Sequence, residues 1–426
     1  MKNLIRKLIP KFLLKSYHYK LALLGAVFYG FPSRKLKVIG VTGTKGKSTV
    51  VEMASKILEE AGFKTASMSS MKFKIGRKEE PNMLKMTMPG RFKIQKFLRQ
   101  AVKFGCKYAI IEVTSEGVEQ CRHKFINFDT AVFNNLRPEH IESHRGFENY
   151  RNAKLKLFKS ARNIHIINND DENAKYFLEI PAKEKWVYGF KNPNAKVQMP
   201  NQIQNPNAKT IFAENIESKE DNLLFQIQDT KFQIHLLGEF NVYNALATIC
   251  IGMSQGISLK TCRKALEKIK MIPGRMEVVL EKPFKVIVDY AHIPDALEQV
   301  YKTLNKNPLI CVLGSCGGGR DKWKRKVMGE IAGRYCKEVI ITNEDPYDEN
   351  PMEIVNQVAE GAGQKAQKIL DRKEAIKKAI DSAKPGDTVI ITGKGSEPWM
   401  CGKNGKKIPW SDKKIAKDEI LAKISK

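Results

Sequence analysis

Gly40-Val-Thr-Gly43-Thr-Lys-Gly46-Lys47-Ser48-Thr49 is the stretch that decides the fold. An apolar β-type run, Leu36-Lys-Val-Ile-Gly40, leads into it, and a helical run, Val50 to Ala61, follows. Strand, glycine-rich turn, Lys-Ser and helix together build a triphosphate cradle. The glycines let the backbone curl so that several N–H groups point at one anion. Lys47 brings a positive charge to the outer phosphates, and the Ser48 hydroxyl can reach a magnesium ion. The usual spacing has a glycine five positions before Gly46. Val41 stands there, with glycines at Gly40 and Gly43 instead, so the loop is a variant.

Outward from this loop, helix-like and strand-like segments alternate. Ile94 to Phe104 reads as a helix and Tyr108-Ala-Ile-Ile-Glu-Val113 as a buried strand carrying a carboxylate. Thr130-Ala-Val-Phe133 and Ile164-His-Ile-Ile167 are further strands, with a helix from Tyr150 to Phe158 between them. The alternation argues for a mostly parallel sheet with helices on both faces. Residues 190–237 are rich in Asn, Gln and Lys with short alternating runs, as expected for a small antiparallel β insertion. Helix returns from Gly238 to Ile272, and Pro273-Gly274 marks a boundary. A second alternation follows, with strands at Lys285–Asp289, Leu309–Leu313, Glu338–Thr342 and Asp387–Thr392. Each runs into Gly, Asp or Asn residues, where open α/β sheets place their sites. The expected class is α/β. Residues 1–37 form a basic amphipathic segment, 38–272 a central P-loop ATPase domain, and 273–426 a Rossmann-like domain that takes an amino acid.

A chain of 426 residues with 42% hydrophobic content has ample core for two or three domains. Its 74 Lys+Arg against 46 Asp+Glu leave a formal charge of +28, a surface that attracts anions. The excess reads equally as a general lysine-rich habit, because the lysines are spread along the whole chain. No helix-turn-helix or zinc finger is legible, so no specific nucleic-acid partner is expected. The eight cysteines form no C-x-x-C pair, as for free thiols in a reducing cytosol. No signal peptide is evident, and the apolar run Leu21 to Pro32 is too short to span a bilayer. The expected location is the cytoplasm, or the inner face of its membrane. The first 37 residues hold nine Lys/Arg and no acid, with apolar residues at helical spacing in Leu4, Ile5, Leu8, Ile9, Phe12 and Leu13. Two readings stay open for them: a helix lying on an anionic membrane face, or one packing its apolar side on the domain behind it.

Glu112 ends a strand after the loop, where an acid can hold magnesium. His140, following Asn134-Asn135-Leu136 and beside Glu139, is a second ligand candidate. From here the pieces resemble the Mur ligase family, most closely its tripeptide-synthetase branch, over roughly residues 36 to 410. In order they are Val41 to Thr49, Glu112-Val-Thr-Ser115, and Asn135-Leu-Arg-Pro-Glu-His140 with His144. Then come Tyr150 to Phe158, Gly238 to Ala247, Ile272-Pro-Gly-Arg-Met-Glu277 and Asp289-Tyr-Ala-His-Ile-Pro294. Gly317-Gly-Gly-Arg-Asp321 with Lys324-Arg325, and Gly393-Lys-Gly-Ser-Glu397, complete the set.

The resemblance implies an ATP-dependent enzyme that joins an amino acid to a carboxylate of a cell-wall, muramoyl-peptide-like precursor. The carboxylate takes the γ-phosphoryl of ATP, and an amine displaces phosphate from the acyl phosphate. It implies that Gly43, Thr44, Lys45, Gly46, Lys47, Ser48 and Thr49 hold phosphates, and that Ser48, Glu112 and His140 hold Mg2+. Lys154 matches a family lysine that is carbamylated and helps to place a second magnesium. Asn241 and Asn244 fall to the adenine side, Arg275 and Asp289 to ribose and phosphate, and His292 near the phosphates. Thr87, Thr114 and Ser115 fall on the acceptor side; Arg320 and Glu397 grip the amino acid's carboxylate and amine.

The departures concern substrates. Only 37 residues precede the first strand, where these ligases carry a UDP-binding domain, so the acceptor is either UDP-linked or another, lipid-linked carboxylate. A family Asp-Asn-Pro-Arg run reads Glu344-Asp345-Pro346-Tyr347 here, which removes a cation and favours a basic amino acid such as lysine or ornithine. Ser396 replaces a histidine. Two alternatives are a folylpolyglutamate- or cyanophycin-type ligase, and a non-catalytic ATP-binding subunit of a membrane-associated cell-wall complex.

Overall fold

The computed structural model describes residues 11–84, 86–191 and 208–425. Its larger sheet has eleven strands: β1 (Lys37–Thr42), β2 (Thr65–Met68), β3 (Lys72–Ile75), β4 (Lys78–Pro81), β5 (Tyr108–Glu112), β6 (Phe128–Phe133), β7 (Ile164–Asn168), β8 (Glu184–Phe190), β9 (Ala208–Ser218), β10 (Leu223–Ile227) and β11 (Thr230–Ile234). Their order is β11-β10-β9-β8-β7-β6-β1-β5-β2-β3-β4. β1 is buried along nearly its whole length and pairs in parallel with β5 on one side and β6 on the other. Such a strand reads as a continuous apolar run, because helices cover both of its faces. The loop after β1 therefore opens at a switch point of the sheet, at the carboxyl ends of the strands.

The helix Lys47–Glu60 sends Val50, Met53 and Ile57 into a core shared with the helix Phe240–Ser254. The opposite face of the sheet is covered by the helices Arg91–Lys103 and Phe147–Ser160. Gly40 lets the second of these come close, since a Cβ there would lie 2.8 Å from a Leu157 methyl. The segment read as a β insertion is continuous with the sheet. β9 pairs in parallel with β8, and β10 and β11 extend it as antiparallel strands.

The second sheet contains β12 (Glu277–Leu280), β13 (Lys285–Val288), β14 (Leu309–Leu313), β15 (Glu338–Ile341), β16 (Ala366–Lys368) and β17 (Thr388–Ile391), ordered β12-β13-β17-β14-β15-β16. All its pairs are parallel except β12 with β13. A bidentate, fully buried Arg372–Asp412 pair (2.9 and 2.7 Å) pins the final helix, Asp412–Ile424, against it.

The segment preceding β1 contains the helix Lys11–Phe28. His18, Ala22 and Ala26 are buried as it packs on the helix Arg91–Lys103. Packing on the domain behind it is thus real for this part of the segment. Leu4, Ile5, Leu8 and Ile9, and the Phe12 side chain, lie outside what is described. Among the described residues no helix is long and apolar enough to cross a membrane.

Candidate active site

The turn after β1 is shaped by its neighbours as much as by its own glycines. Gly46, at φ 78°, starts the helix Lys47–Glu60. A Cβ at this position would lie 2.3 Å from both Asn134 Nδ2 and Asn244 Oδ1. Asn134 Nδ2 donates to the Lys45 carbonyl and to Asn244 Oδ1 (both 2.9 Å), while Asn244 Nδ2 donates to Asn241 Oδ1 (3.0 Å). The asparagine pair expected on the adenine side thus props the phosphate loop from behind. Both residues still line the cleft. Lys45 N–H donates to Asn135 Oδ1 (2.8 Å), and the Thr44 hydroxyl meets the Tyr150 hydroxyl (3.1 Å). Thr49 is buried at the loop's exit.

Lys47 Nζ donates to the Thr44 carbonyl (2.9 Å) and sits 3.8 Å from Glu112 Oε1. Ser48 Oγ donates to Glu112 Oε2 (2.8 Å), which also accepts from Ser70 N–H (2.9 Å). Lys154 Nζ donates to the Gly43 carbonyl (2.8 Å) beneath the loop. Burial, and next the Lys47 charge, drives Lys154 well below the ordinary lysine range; Glu139 and Glu112 oppose this. Its amine is therefore biased to the neutral form. Burial also lowers His140, against the pull of Glu139. Burial would raise Glu139, but His140, His292 and Lys47 outweigh it and hold the carboxyl well below the usual range. His292 Nε2 lies 3.3 Å from Glu139 Oε1.

Among the described residues no three His, Cys, Asp or Glu form a metal cage. One hydroxyl, one carboxylate and a neutral imidazole instead fit a magnesium ion that takes its remaining ligands from water and phosphate. The donors present suit that ion.

The second sheet meets this loop across the cleft. Lys45 forms an ion pair with Asp295, which also lies 3.7 Å from Arg137. Burial and then Arg137 pull Lys45 down to about 7, against the opposing charge of Glu139. Asp321 accepts from the N–H groups of Ile141 (3.2 Å) and Glu142 (3.1 Å), and Lys322 N–H donates back to Glu142 (3.0 Å). Asp289 accepts from Met276 and Ala291 N–H groups (2.7 Å each), bracing the junction. Arg275 stacks on Tyr290, 4.4 Å from its ring centre.

Loops after β14, β15 and β17 converge on the far end. Arg320 is 3.9 Å from Glu116. Asp345 does not face the cleft as an open carboxylate. Both its oxygens pair with Lys394 Nζ (2.9 Å each), and Oδ1 accepts from Cys401 N–H. Lys394 also donates to Glu397 (2.7 Å), whose other oxygen accepts from the Tyr290 hydroxyl (3.1 Å). Tyr347, at φ 53°, lies against Gly318, where a Cβ would come within 2.6 Å of the ring. Glu344 is buried, and its Oε2 has no hydrogen-bond partner. Nearer the loop, Thr87 lines the cleft, Thr114 caps the helix Ser115–Glu119, and Ser115 Oγ is 3.0 Å from His144 Nε2.

All of the expected site residues except Gly43 and Lys154 line one cleft of about 1010 Å³. Lys154 lies directly under its floor. Sequence reading missed Glu139, Lys324, Glu344 and Lys394 as site residues. Glu344 and Lys394 stand inside the very runs that flagged their neighbours.

A phosphate-loop sheet closed over by a second parallel sheet, with a nucleotide-sized cleft between them, defines the class of ATP-dependent acid–amine ligases. Residues 41–252 match the Mur ligase middle domain, and residues 274–395 the Mur ligase, glutamate ligase domain. The chain belongs to the Mur ligase family. It is 36% identical over 426 aligned residues to the UDP-N-acetylmuramoyl-L-alanyl-D-glutamate–2,6-diaminopimelate ligase of Halalkalibacterium halodurans, covering 97% of this chain and 84% of that one. A solved structure of a ligase of the same name is 30% identical with a TM-score of 0.60, covering 91% and 79%. Folylpolyglutamate synthase of Mycobacterium tuberculosis, solved with ADP and AMPPCP, shares the fold at 15% identity and TM-score 0.66, covering 88% and 92%.

Proposed function

We propose that the chain joins an amino acid with a cationic side chain to the free carboxylate of a muramoyl-peptide acceptor, at the expense of ATP and through an acyl phosphate. The observation that carries this reading is the single cleft in which the phosphate loop, Glu112, His140, Arg320 and Glu344 all meet. Residues 38–272 act as the nucleotide unit and 273–426 as the amino-acid unit, with 1–37 as a separate head segment.

The difficulty is bringing a carboxylate to a polyanion. Lys47 turns from the Thr44 carbonyl to the γ-phosphate, and Lys45 exchanges Asp295 for phosphate oxygens. Ser48, Glu112 and His140 would hold Mg2+. When bound, the ion neutralises the outer phosphates and polarises the phosphoryl group. Lys154, biased to the neutral amine, has the lone pair that adds to the carbon of CO2 while a proton leaves nitrogen. The product is a carbamate anion at the cleft floor. Thr87, Thr114 and Ser115 orient the acceptor. Arg320 takes the amino acid's carboxylate, and Glu397 its amine. Positioning of this kind supplies most of the acceleration in phosphoryl transfer.

The amino-acid preference follows from charge. Asp345 and Glu397 stand around one lysine, Lys394, and the Oε2 oxygen of neighbouring Glu344 is a buried acceptor without a donor. A side-chain ammonium satisfies it; a second carboxylate meets Tyr347 in place of a cation. The test is phosphate release by the purified chain, crossing lysine, ornithine, diaminopimelate and the other amino acids with UDP-linked and lipid-linked muramoyl acceptors. Release with lysine or ornithine above diaminopimelate is expected. No release with any pair refutes the reading.

A further inference from the structure

The helix Lys11–Phe28 is apolar on two opposite faces, and only one of them is covered. His18, Ala22, Gly25 and Ala26 face the helix Arg91–Lys103. Leu13, Tyr17, Leu24, Val27 and Phe28 are all exposed, Phe28 to 74%. At 100° per residue these five fall within an arc of roughly 100° on the outer side, and they run about 22 Å along the helix. Phe28 continues the stripe onto the neighbouring helix, where its ring lies 6.3 Å from Phe92, itself 39% exposed. An exposed apolar stripe of this length calls for an occupant.

Charge selects the occupant. Residues 11–37 carry Lys11, Lys15, Lys20, Arg34, Lys35 and Lys37 and no acid. The helix beside them adds Arg91, Lys93, Lys96, Arg99 and Lys103, again with no acid. Lys20 sits within the apolar arc itself. Against a second copy of the chain it would meet its own counterpart across a two-fold axis, which disfavours pairing of like helices. On a lipid surface the same side chain lays its stem along the acyl boundary and lifts its ammonium to the headgroups.

We propose that the outer face of Lys11–Phe28 docks the protein on an anionic lipid surface, lying in the plane of the headgroups without crossing. The apolar stripe supplies burial and the flanking lysines supply attraction to the headgroup charge. If the acceptor reading above holds, docking has a further consequence. Thr87 and Met88 of the cleft precede Gly90, which starts the helix bearing Phe92, so the acceptor side of the cleft is tied to the docked face.

The test is co-sedimentation of the full chain with vesicles of phosphatidylcholine alone and of phosphatidylcholine with phosphatidylglycerol, at low and high salt. Neither ATP nor amino acid is needed, so failure here is separable from failure of the ligase reading. Expected are binding to the anionic vesicles only, its loss at high salt, and a drop of about tenfold or more in Leu24→Asp/Phe28→Asp with unchanged melting and nucleotide binding. No binding by the folded chain overturns the proposal. So does binding indifferent to lipid charge, or a self-associating chain that the same double variant turns monomeric, since then a second copy covers the face.

Discussion

Lys394→Met tests the electrostatic design of the proposed amino-acid pocket. Lys394 is fully buried and makes three contacts within 2.9 Å, two to Asp345 and one to Glu397. Methionine fills a similar volume and removes the charge. Asp345 then keeps the Cys401 N–H but loses both of its contacts to the Lys394 ammonium, and Glu397 loses one. Breaking a buried pair by deleting one partner costs about 3–5 kcal/mol. At about 2–4 °C per kcal/mol for a unit of this size, melting falls by roughly 6–20 °C. Scanning calorimetry reads this directly, and phosphate release against amino-acid concentration reads the KM. The matched control is Lys394→Met/Asp345→Asn, which also removes the negative charge that faced the lysine and is expected to recover part of the lost stability. A loss below about 1 kcal/mol in the single variant, or no recovery in the double, refutes the argument that Lys394 neutralises this pocket.

Four further outcomes are expected. Lys154→Ala is inactive and partly rescued by acetate, and 13C-labelled CO2 gives a carbamate resonance in the wild type only; equal resonances in both remove the carbamate role. Tyr347→Arg shifts selectivity towards diaminopimelate, read as the ratio of kcat/KM for diaminopimelate to that for lysine; an unmoved ratio places the ring outside the side-chain pocket. Asp295→Asn frees Lys45 and lowers the Kd for ATP in a direct titration, whereas weaker binding would make the pair a support of the closed cleft. His123 is buried with no partner on either ring nitrogen, and burial lowers it from 6.5 to about 3. Its folded form stays neutral while the unfolded chain takes up a proton, so its contribution is complete above pH 6.5 and is lost as pH falls towards 3. His123→Leu therefore gains about 2 kcal/mol relative to wild type between pH 7 and pH 5, by denaturant titration.

The sheet around the phosphate loop was legible because β1 and its turn carry their own punctuation, with apolar residues followed by Gly, Lys and Ser. The helix Arg91–Lys103 begins three residues before the apolar pattern shows, since Gly90 and not a hydrophobic residue sets its start. Where β9 pairs was not legible. Its partner β8 lies across residues 191–207, and short polar strands fix no register by themselves. The same limit applied to the site. Residue types named Lys47, Glu112 and Arg320, whereas Asp345 looked open because its counter-ion, Lys394, stands 49 positions further on. Glu344 passed unnoticed because an unpartnered oxygen is a property of packing and not of sequence.

Asp321 sits directly after Arg320, and it reaches over to hold the short helix that His140 begins. On the function proposed above, one loop thus takes the amino acid with one residue and holds the phosphoryl side with the next. Such gearing makes the sequence of events a mechanical matter. On the same reading, an arriving amino acid that drew Arg320 inward would also tighten the hold on Ile141 and Glu142 beside His140, so that activated acceptor and attacking amine would come together in step and a half-loaded cleft would have less opportunity to discard its acyl phosphate to water.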